Sequence, residues 1–326
     1  MKAAITGVCV LGPWGQQMSH FRSFCDNPNS LTSTFIPDLD YFEIVGTKNK
    51  RTKKIDRLSK LVSIAAKLAL EDAQINKQSI ESDRGAIVTG SALGAMDSIF
   101  NFNRELETLG PSAVNPNIFP PTSHNVAGGH LSIEFGFSGP LIHFASGRSS
   151  SEQALLYSYD LLALSRADVV ITGAWEILCN DYLESLKKDS PKTLPREAIV
   201  ICILESRQHA IKRSAPVKAW LTGGRVWNEK AQEYPFSDIE KDWKILTIAD
   251  EIFYPSSNES AFPGREASRL AHLAGDYYGV LGFLTLARVL ELFNDQRENA
   301  PSSRKLALYS RNNKGDCFSV FIEAKK

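Results

Sequence analysis

The residues of this 326-residue chain best placed for chemistry sit where a strand runs into a helix. Leu141-Ile-His-Phe-Ala-Ser146 reads as a strand, and Gly147-Arg-Ser-Ser-Ser151 leads from it straight into a helical pattern that runs to Ser165. A turn this sharp presents one side chain at a helix N-terminus, where backbone N–H groups and the helix dipole lower a thiol pKa and stabilise an oxyanion. That is a seat for the nucleophile of an acyl transfer. The stretch holds Arg148 and three serines, and no cysteine. Ser149, Ser150 and Ser151 lack the second glycine of a Gly-x-Ser-x-Gly elbow, nothing nominates a base for them, and helix N-capping accounts for them. His143, on the strand before the turn, reads as a core histidine with satisfied nitrogens. Cys9, Cys25, Cys179, Cys202 and Cys317 are scattered through mostly apolar runs without a Cys-x-x-Cys pair, as expected of buried thiols in a reducing cytosol.

Other chemistries find less support. The histidines and carboxylates show no metal-ligand spacing, Gly85-x4-Gly90 lacks the Lys-Ser/Thr of a P-loop, and Gly90-x3-Gly94 is not a dinucleotide fingerprint, so neither metal nor cofactor is expected. With 37 basic and 37 acidic residues the chain has no blanket attraction for nucleic acid. One basic cluster stands out, formed by Lys48, Lys50, Arg51, Lys53, Lys54, Arg57 and Lys60. It is either a solvated loop and helix start or a surface that steers an acidic partner. No segment reaches the roughly 18 apolar residues that span a bilayer, and the apolar N-terminus is broken too early by Gly12-Pro13 for a signal peptide. A soluble cytoplasmic chain is expected.

The elements that must position the turn alternate. Met1 to Val10 reads as a first strand. Leu58, Leu61, Val62, Ala65, Leu68 and Ala69 recur at helical spacing. A strand at 85–91, a helix at 96–109, a proline-rich loop, a helix at 125–135, the strand–turn–helix around Arg148, and strands at 167–173, 197–205 and 215–223 follow. Residues 226–243 are polar and read as a surface connection. A strand at 244–253, a long helix at 265–293 and a final hairpin of 305–310 with 317–323, turning through 312–316, complete the chain. Such alternation predicts an α/β layered fold.

The run Asn115-Pro-Asn-Ile-Phe-Pro-Pro to Gly139-Pro140, the turn at Arg148, and Arg166-Ala-Asp-Val-Val-Ile-Thr-Gly-Ala-Trp-Glu176 resemble the β-ketoacyl-ACP synthases. So do Thr6-Gly7, Gly12, Ile55-Asp-Arg-Leu-Ser-Lys60 and Ala198 to Glu205. The resemblance is dense to about Gly223 and thin beyond. It implies a thiolase-like αβαβα fold of two related halves, 1–205 and 206–326, the second reduced. It also places the nucleophilic cysteine on Arg148, the first active-site histidine near Pro255, and the second on Asp276 in Ala274-Gly-Asp-Tyr-Tyr-Gly279. A guanidinium cannot carry an acyl thioester, so all three catalytic positions are degenerate. Since both face one pocket in the family, Arg148 and Asp276 are expected to neutralise each other; otherwise Arg148 points to solvent or a partner, and Asp276 merely opens a helix.

The resemblance then implies a chain-length-factor type subunit, the silent half of a heterodimer with an active ketosynthase, working with an acyl carrier protein on an aryl polyene or aromatic polyketide. Tunnel-gating side chains would fall at Met96, Ser98, Phe100 and Asn103, and carrier-protein docking at Lys50, Arg51, Lys53, Lys54 and Arg57. Leu106, Leu109, Val114, Ile118 and Phe119 belong either to a dimer face or to the core of one chain. The alternative function is a stand-alone, thiol-independent malonyl- or acyl-ACP decarboxylase or acyltransferase.

Overall fold

The computed structural model describes residues 1–27, 30, 33–46, 55–76, 80–188, 195–228, 244–247, 267–269, 276–294, 305–311 and 315–325. In chain order these form β1 (Ala3–Leu11), α1 (Met18–Asp26), α2 (Tyr41–Val45), α3 (Arg57–Asp72), β2 (Gly85–Gly90), α4 (Met96–Leu109), α5 (Val126–Phe135), β3 (Leu141–Phe144), α6 (Ser150–Ala163) and β4 (Val169–Glu176). Then come α7 (Asn180–Lys188), β5 (Ala198–Ser206), α8 (Arg207–Lys212), β6 (Ala219–Asn228), β7 (Lys244–Thr247), β8 (Ala267–Arg269), α9 (Leu281–Asn294), β9 (Lys305–Arg311) and β10 (Asp316–Ala324).

Among the described residues, ten strands join one sheet in the order β3-β2-β4-β5-β1-β6-β10-β9-β7-β8. The order repeats itself. Counted within its own half, each set of strands runs third, second, fourth, fifth, first towards the centre. In each half the second strand is parallel to the third and fourth, and the remaining pairs are antiparallel. The halves meet at a short β1–β6 ladder, Ala3 opposite Leu221 and Ile5 opposite Ala219. The fold is α/β and built from two related halves.

Sequence explains the layers of the first half. Ile199, Ile201 and Ile203 of β5 face the cluster formed with α3 and α5, whereas Val200, Cys202 and Leu204 face the inner cluster that α6 and α9 fill. A strand covered on both faces must be apolar throughout, and β5 is. Helix α3 starts where Asp56 caps it, accepting the Ser59 N–H at 2.9 Å, and buries Leu58, Leu61, Val62, Ala65 and Ala69 as their spacing predicts.

Three expectations change. The long helix expected from Arg265 begins only at Leu281, after β8 and a 3-10 turn at Tyr278–Val280. Its apolar spacing is interrupted because Asp276 accepts the Tyr278 N–H at 3.0 Å and Tyr278 takes φ +42, which breaks the helical run. The polar connection expected from Val226 starts later, since Val226 to Asn228 continue β6 opposite Phe318, Cys317 and Asp316. A pairing partner supplied by β10 overrides local polarity there. Four helices, α1, α2, α7 and α8, stand where no element was read. The final hairpin pairs as expected, Phe318 opposite Ser310 and Ile322 opposite Leu306; within its turn, 312–314 lie outside the described residues, as do 229–243.

Candidate functional site

Strand β3 delivers the chain to an exposed bend at Ala145–Gly147. Gly147 turns it at φ +64, a conformation costly for any residue with a Cβ, and a 3-10 turn at Gly147–Ser149 runs directly into α6. The serines do not cap this helix. The Ser150 N–H is already satisfied by the Gly147 carbonyl, and the Ser149 side chain makes no capping bond. Their hydroxyls donate to carbonyls instead: Ser149 to Ser146, Ser150 to Ser91 at 2.9 Å, and Ser151 to Gly279. They pin the elbow to the loop after β2 and to the segment before α9.

Arg148 and Asp276 meet in that space. Nη1 of Arg148 donates to Oδ1 of Asp276 at 2.9 Å and Nη2 to Oδ2 at 2.6 Å, a bidentate ion pair. The Asp276 side chain is 6% exposed and the Arg148 side chain 29%. The guanidinium also lies 5.1 Å from the centre of the Tyr278 ring, a cation–π contact. The Tyr278 hydroxyl in turn hydrogen-bonds that of Tyr182 on α7 at 2.9 Å, and burial, followed by this bond and the Asp276 charge, pushes the phenol well above its ordinary value. Asp276 is fixed from behind by a bridge to Pro195 and by the Arg196 N–H donating to its carbonyl at 2.9 Å.

Glu176, fully buried at the end of β4, closes the assembly. Its Oε1 accepts the N–H groups of Ala92 and Gly279, and its Oε2 that of Leu93 at 2.9 Å. Burial pushes this carboxyl up to about 8 against the pull of the three amides. Gly279 is obligatory here, because a Cβ would lie 2.8 Å from both the Ala92 nitrogen and Oε1 of Glu176. Tyr278, Tyr182 and Glu176 were not read from sequence; the tyrosines beside the Gly-Asp motif and the glutamate ending an apolar strand were the available signals.

His143 is held by Thr89 Oγ1 on Nδ1 and Ser91 Oγ on Nε2, each at 3.0 Å, and stacks on Trp175 at 5.1 Å. Burial holds it down to about 4, neutral at physiological pH. The five cysteines are free and buried. Burial raises the Cys9 and Cys202 thiols and takes Cys25 up to about 12, the opposite of an activated thiolate. Among the described residues no cluster could hold a metal ion, and no helix is long and apolar enough to cross a membrane.

The remaining candidates separate. Met96, Ser98 and Phe100 are half-buried and Asn103 exposed, on a helix α4 with no buried residue. Leu109 and Phe119 are 56% and 60% exposed, so neither belongs to a core within this chain. Arg57 turns inward, donating from Nη1 to Glu197 Oε1 at 2.7 Å and from Nη2 to Glu197 Oε2 at 2.8 Å and the Ile36 carbonyl at 3.1 Å. Lys50, Arg51, Lys53, Lys54 and Pro255 lie outside the described residues.

Residues 17–187 match the family model of the β-ketoacyl synthase N-terminal domain. Nodulation protein E of Rhizobium leguminosarum bv. trifolii is 25% identical over 247 residues, covering 67% of this chain and 61% of that protein. 3-Oxoacyl-(acyl-carrier-protein) synthase 2 of Staphylococcus aureus is 27% identical over 194 residues, covering 53% of this chain and 48% of that one. The chain thus spans about half to three-fifths of the length of these curated relatives. Two solved structures share the fold. One is the type II PKS complex AntDE:AntF, an acyl-carrier protein with its ketosynthase bound to the hexaketide, with a TM-score of 0.84 at 20% identity over 99% of both chains. The other is the ishigamide ketosynthase/chain length factor, with a TM-score of 0.81 at 14% identity over 100% of this chain and 99% of that one. The fold is the thiolase-like one, the matched region contains the elbow and its two flanking strands, and the chain belongs to the β-ketoacyl synthase family.

Proposed function

We propose that this chain is a non-catalytic, chain-length-factor type subunit that pairs with an active β-ketoacyl-ACP synthase and shapes the tunnel for a polyketide or polyene growing on acyl carrier protein. The observation that carries the reading is the Arg148–Asp276 ion pair. A guanidinium clamped by a carboxylate has no lone pair with which to attack a thioester and cannot hold an acyl group. The cysteine and histidines of decarboxylative condensation must then come from the partner.

The uncovered surface supports pairing. Helix α4 has no buried residue although Met96, Ile99, Phe100, Phe102, Leu106 and Leu109 lie on it, and among the described residues β3 is an edge strand with one side of its ladder open. Covered by a partner, Met96, Ser98, Phe100 and Asn103 would line a tunnel between the two chains. The likeness to the ishigamide ketosynthase/chain length factor and to the AntDE:AntF complex favours the same arrangement, in a system of the type II polyketide or aryl polyene kind. Carrier protein would dock along Lys50, Arg51, Lys53, Lys54 and the exposed edge of Arg57.

Co-expression with a ketosynthase encoded beside it tests this. The pair should purify as a one-to-one complex that condenses malonyl units on carrier protein, with all acyl label on the partner's cysteine. A lone chain that decarboxylates malonyl-ACP or transfers an acyl group would overturn the proposal in favour of a thiol-independent enzyme.

A further inference from the structure

We propose that Glu152 makes the joint between α6 and α9 sensitive to a proton: it is seated as the neutral acid, and its ionisation loosens the packing of residues 277–282 against the elbow helix. Glu152 lies in the first turn of α6, one turn beyond Arg148, and is 4% exposed. Its Oε2 is buried without a well-formed hydrogen bond, and the Ser310 hydroxyl on β9, which makes none either, pulls on the carboxyl only weakly. Gly282 of α9 presses on the other oxygen, so closely that a Cβ there would lie 2.7 Å from Oε1. A carboxylate enclosed in this way keeps its charge only if a cation or several donors meet it.

On the packed elements, the described ion pairs and hydrogen bonds take up most of the charges. Before α9, Asp276 is paired with Arg148, and Tyr278 with Tyr182, while Tyr277 is buried. On α9, Arg288 pairs with Asp26 and Glu291 with Arg22. Lys305 and Arg311 stand at the two ends of β9; on β10, Glu323 pairs with Lys2 and Asp316 accepts from Asn228. Burial therefore dominates, pushing Glu152 up to about 7, and the α6 backbone and Ser310 pull it back only in part. Because the folded value lies above the ordinary 4.5, the folded chain binds more protons between the two. The joint is tightest at low pH and weakens as pH rises towards 7. The segment it holds follows directly on Asp276, so the weakening reaches the ion pair. This follows from packing and stands whether or not the chain is catalytic.

The full chain, titrated from about pH 5 to about pH 8, supplies the test. The infrared carbonyl band of a protonated carboxyl should vanish in a step near 7 and be absent from Glu152→Gln. Glu176, whose step lies near 8, is present in both proteins and cancels in the comparison. Corrected for intrinsic rates, amide exchange of residues 277–282 should rise on the order of fiftyfold across the range in the wild type, and clearly less in the variant. Should Glu152→Gln not fold, Ser310→Ala, which removes a group that favours the anion, should move the step upward. A wild type with no such band, a variant that keeps the full rise, or a step unmoved by Ser310→Ala would each refute the proposal.

Discussion

Arg148 and Asp276 each occupy a space in which a lone charge would be expensive. Asp276 is nearly buried, so Arg148→Met should leave an uncompensated carboxylate and cost about 3 to 5 kcal/mol. Replacing both, as Arg148→Met with Asp276→Leu, should recover most of that loss, because an apolar pair pays no desolvation. Chemical unfolding of the two variants measures this, and equal losses would mean that the pair is not a unit. Glu176 yields a second expectation at this scale. It accepts the N–H groups of Ala92, Leu93 and Gly279, so Glu176→Gln turns an amide NH2 against one of them and should cost about 1 to 3 kcal/mol, together with faster exchange at Ala92 and Gly279.

Helix α8 shows how a local element is secured by a single strand residue. Glu205, at the end of β5, accepts Nδ1 of His209 at 2.6 Å and Nε of Arg213 at 2.7 Å, and Arg213 reaches on to the Ala73 carbonyl at the end of α3. Burial alone would raise Glu205, but these bonds outweigh it and hold the carboxyl down to about 2. A lowered carboxyl contributes stability above its ordinary value of 4.5, lost as pH falls towards 2. Glu205→Gln should therefore cost about 3 kcal/mol at neutral pH, and the gap from wild type should close on acidification through that window. Elements of this kind mark the limit of what sequence shows. The buried strands β1, β2, β4 and β5 and helices α3, α4 and α6 were legible, since their apolar periods are long and their ends are marked by Asp56, Gly85 or Gly110. Helix α8, only six residues long, is secured by Glu205, β8 exists by pairing with β7, and the break before α9 follows from Asp276 accepting the Tyr278 N–H. At the site, the strand-to-helix pattern indicated the elbow, and the resemblance to the β-ketoacyl synthases indicated Arg148 and Asp276. Sequence could not indicate Tyr278 and Tyr182, because a cation–π contact and a hydroxyl pair between distant segments leave no local pattern.

The division proposed at residues 205 and 206 falls at the end of β5, and among the described residues the repeated strand order on either side of the β1–β6 seam gives each half one open edge. On the first half that edge is β3, and α4, which packs against the proline loop, has no buried residue. Phe119 packs edge-on against Phe102 with ring centres 5.3 Å apart, yet remains 60% exposed, and Leu109 is 56% exposed. Large apolar groups left this open are candidate anchors for another surface. If the edge is where the partner ketosynthase binds, Phe119→Asp and Leu109→Arg should leave the unfolding midpoint of the chain nearly unchanged, because neither side chain supports its own core. Each should weaken the one-to-one complex by about 2 kcal/mol, some thirtyfold in Kd, as expected for an interfacial anchor. Glu205→Gln should do the reverse, lowering stability with little effect on Kd. Titration of the purified partner against each variant separates the two patterns, and an unaltered Kd in both surface variants would place the pairing surface elsewhere on the molecule.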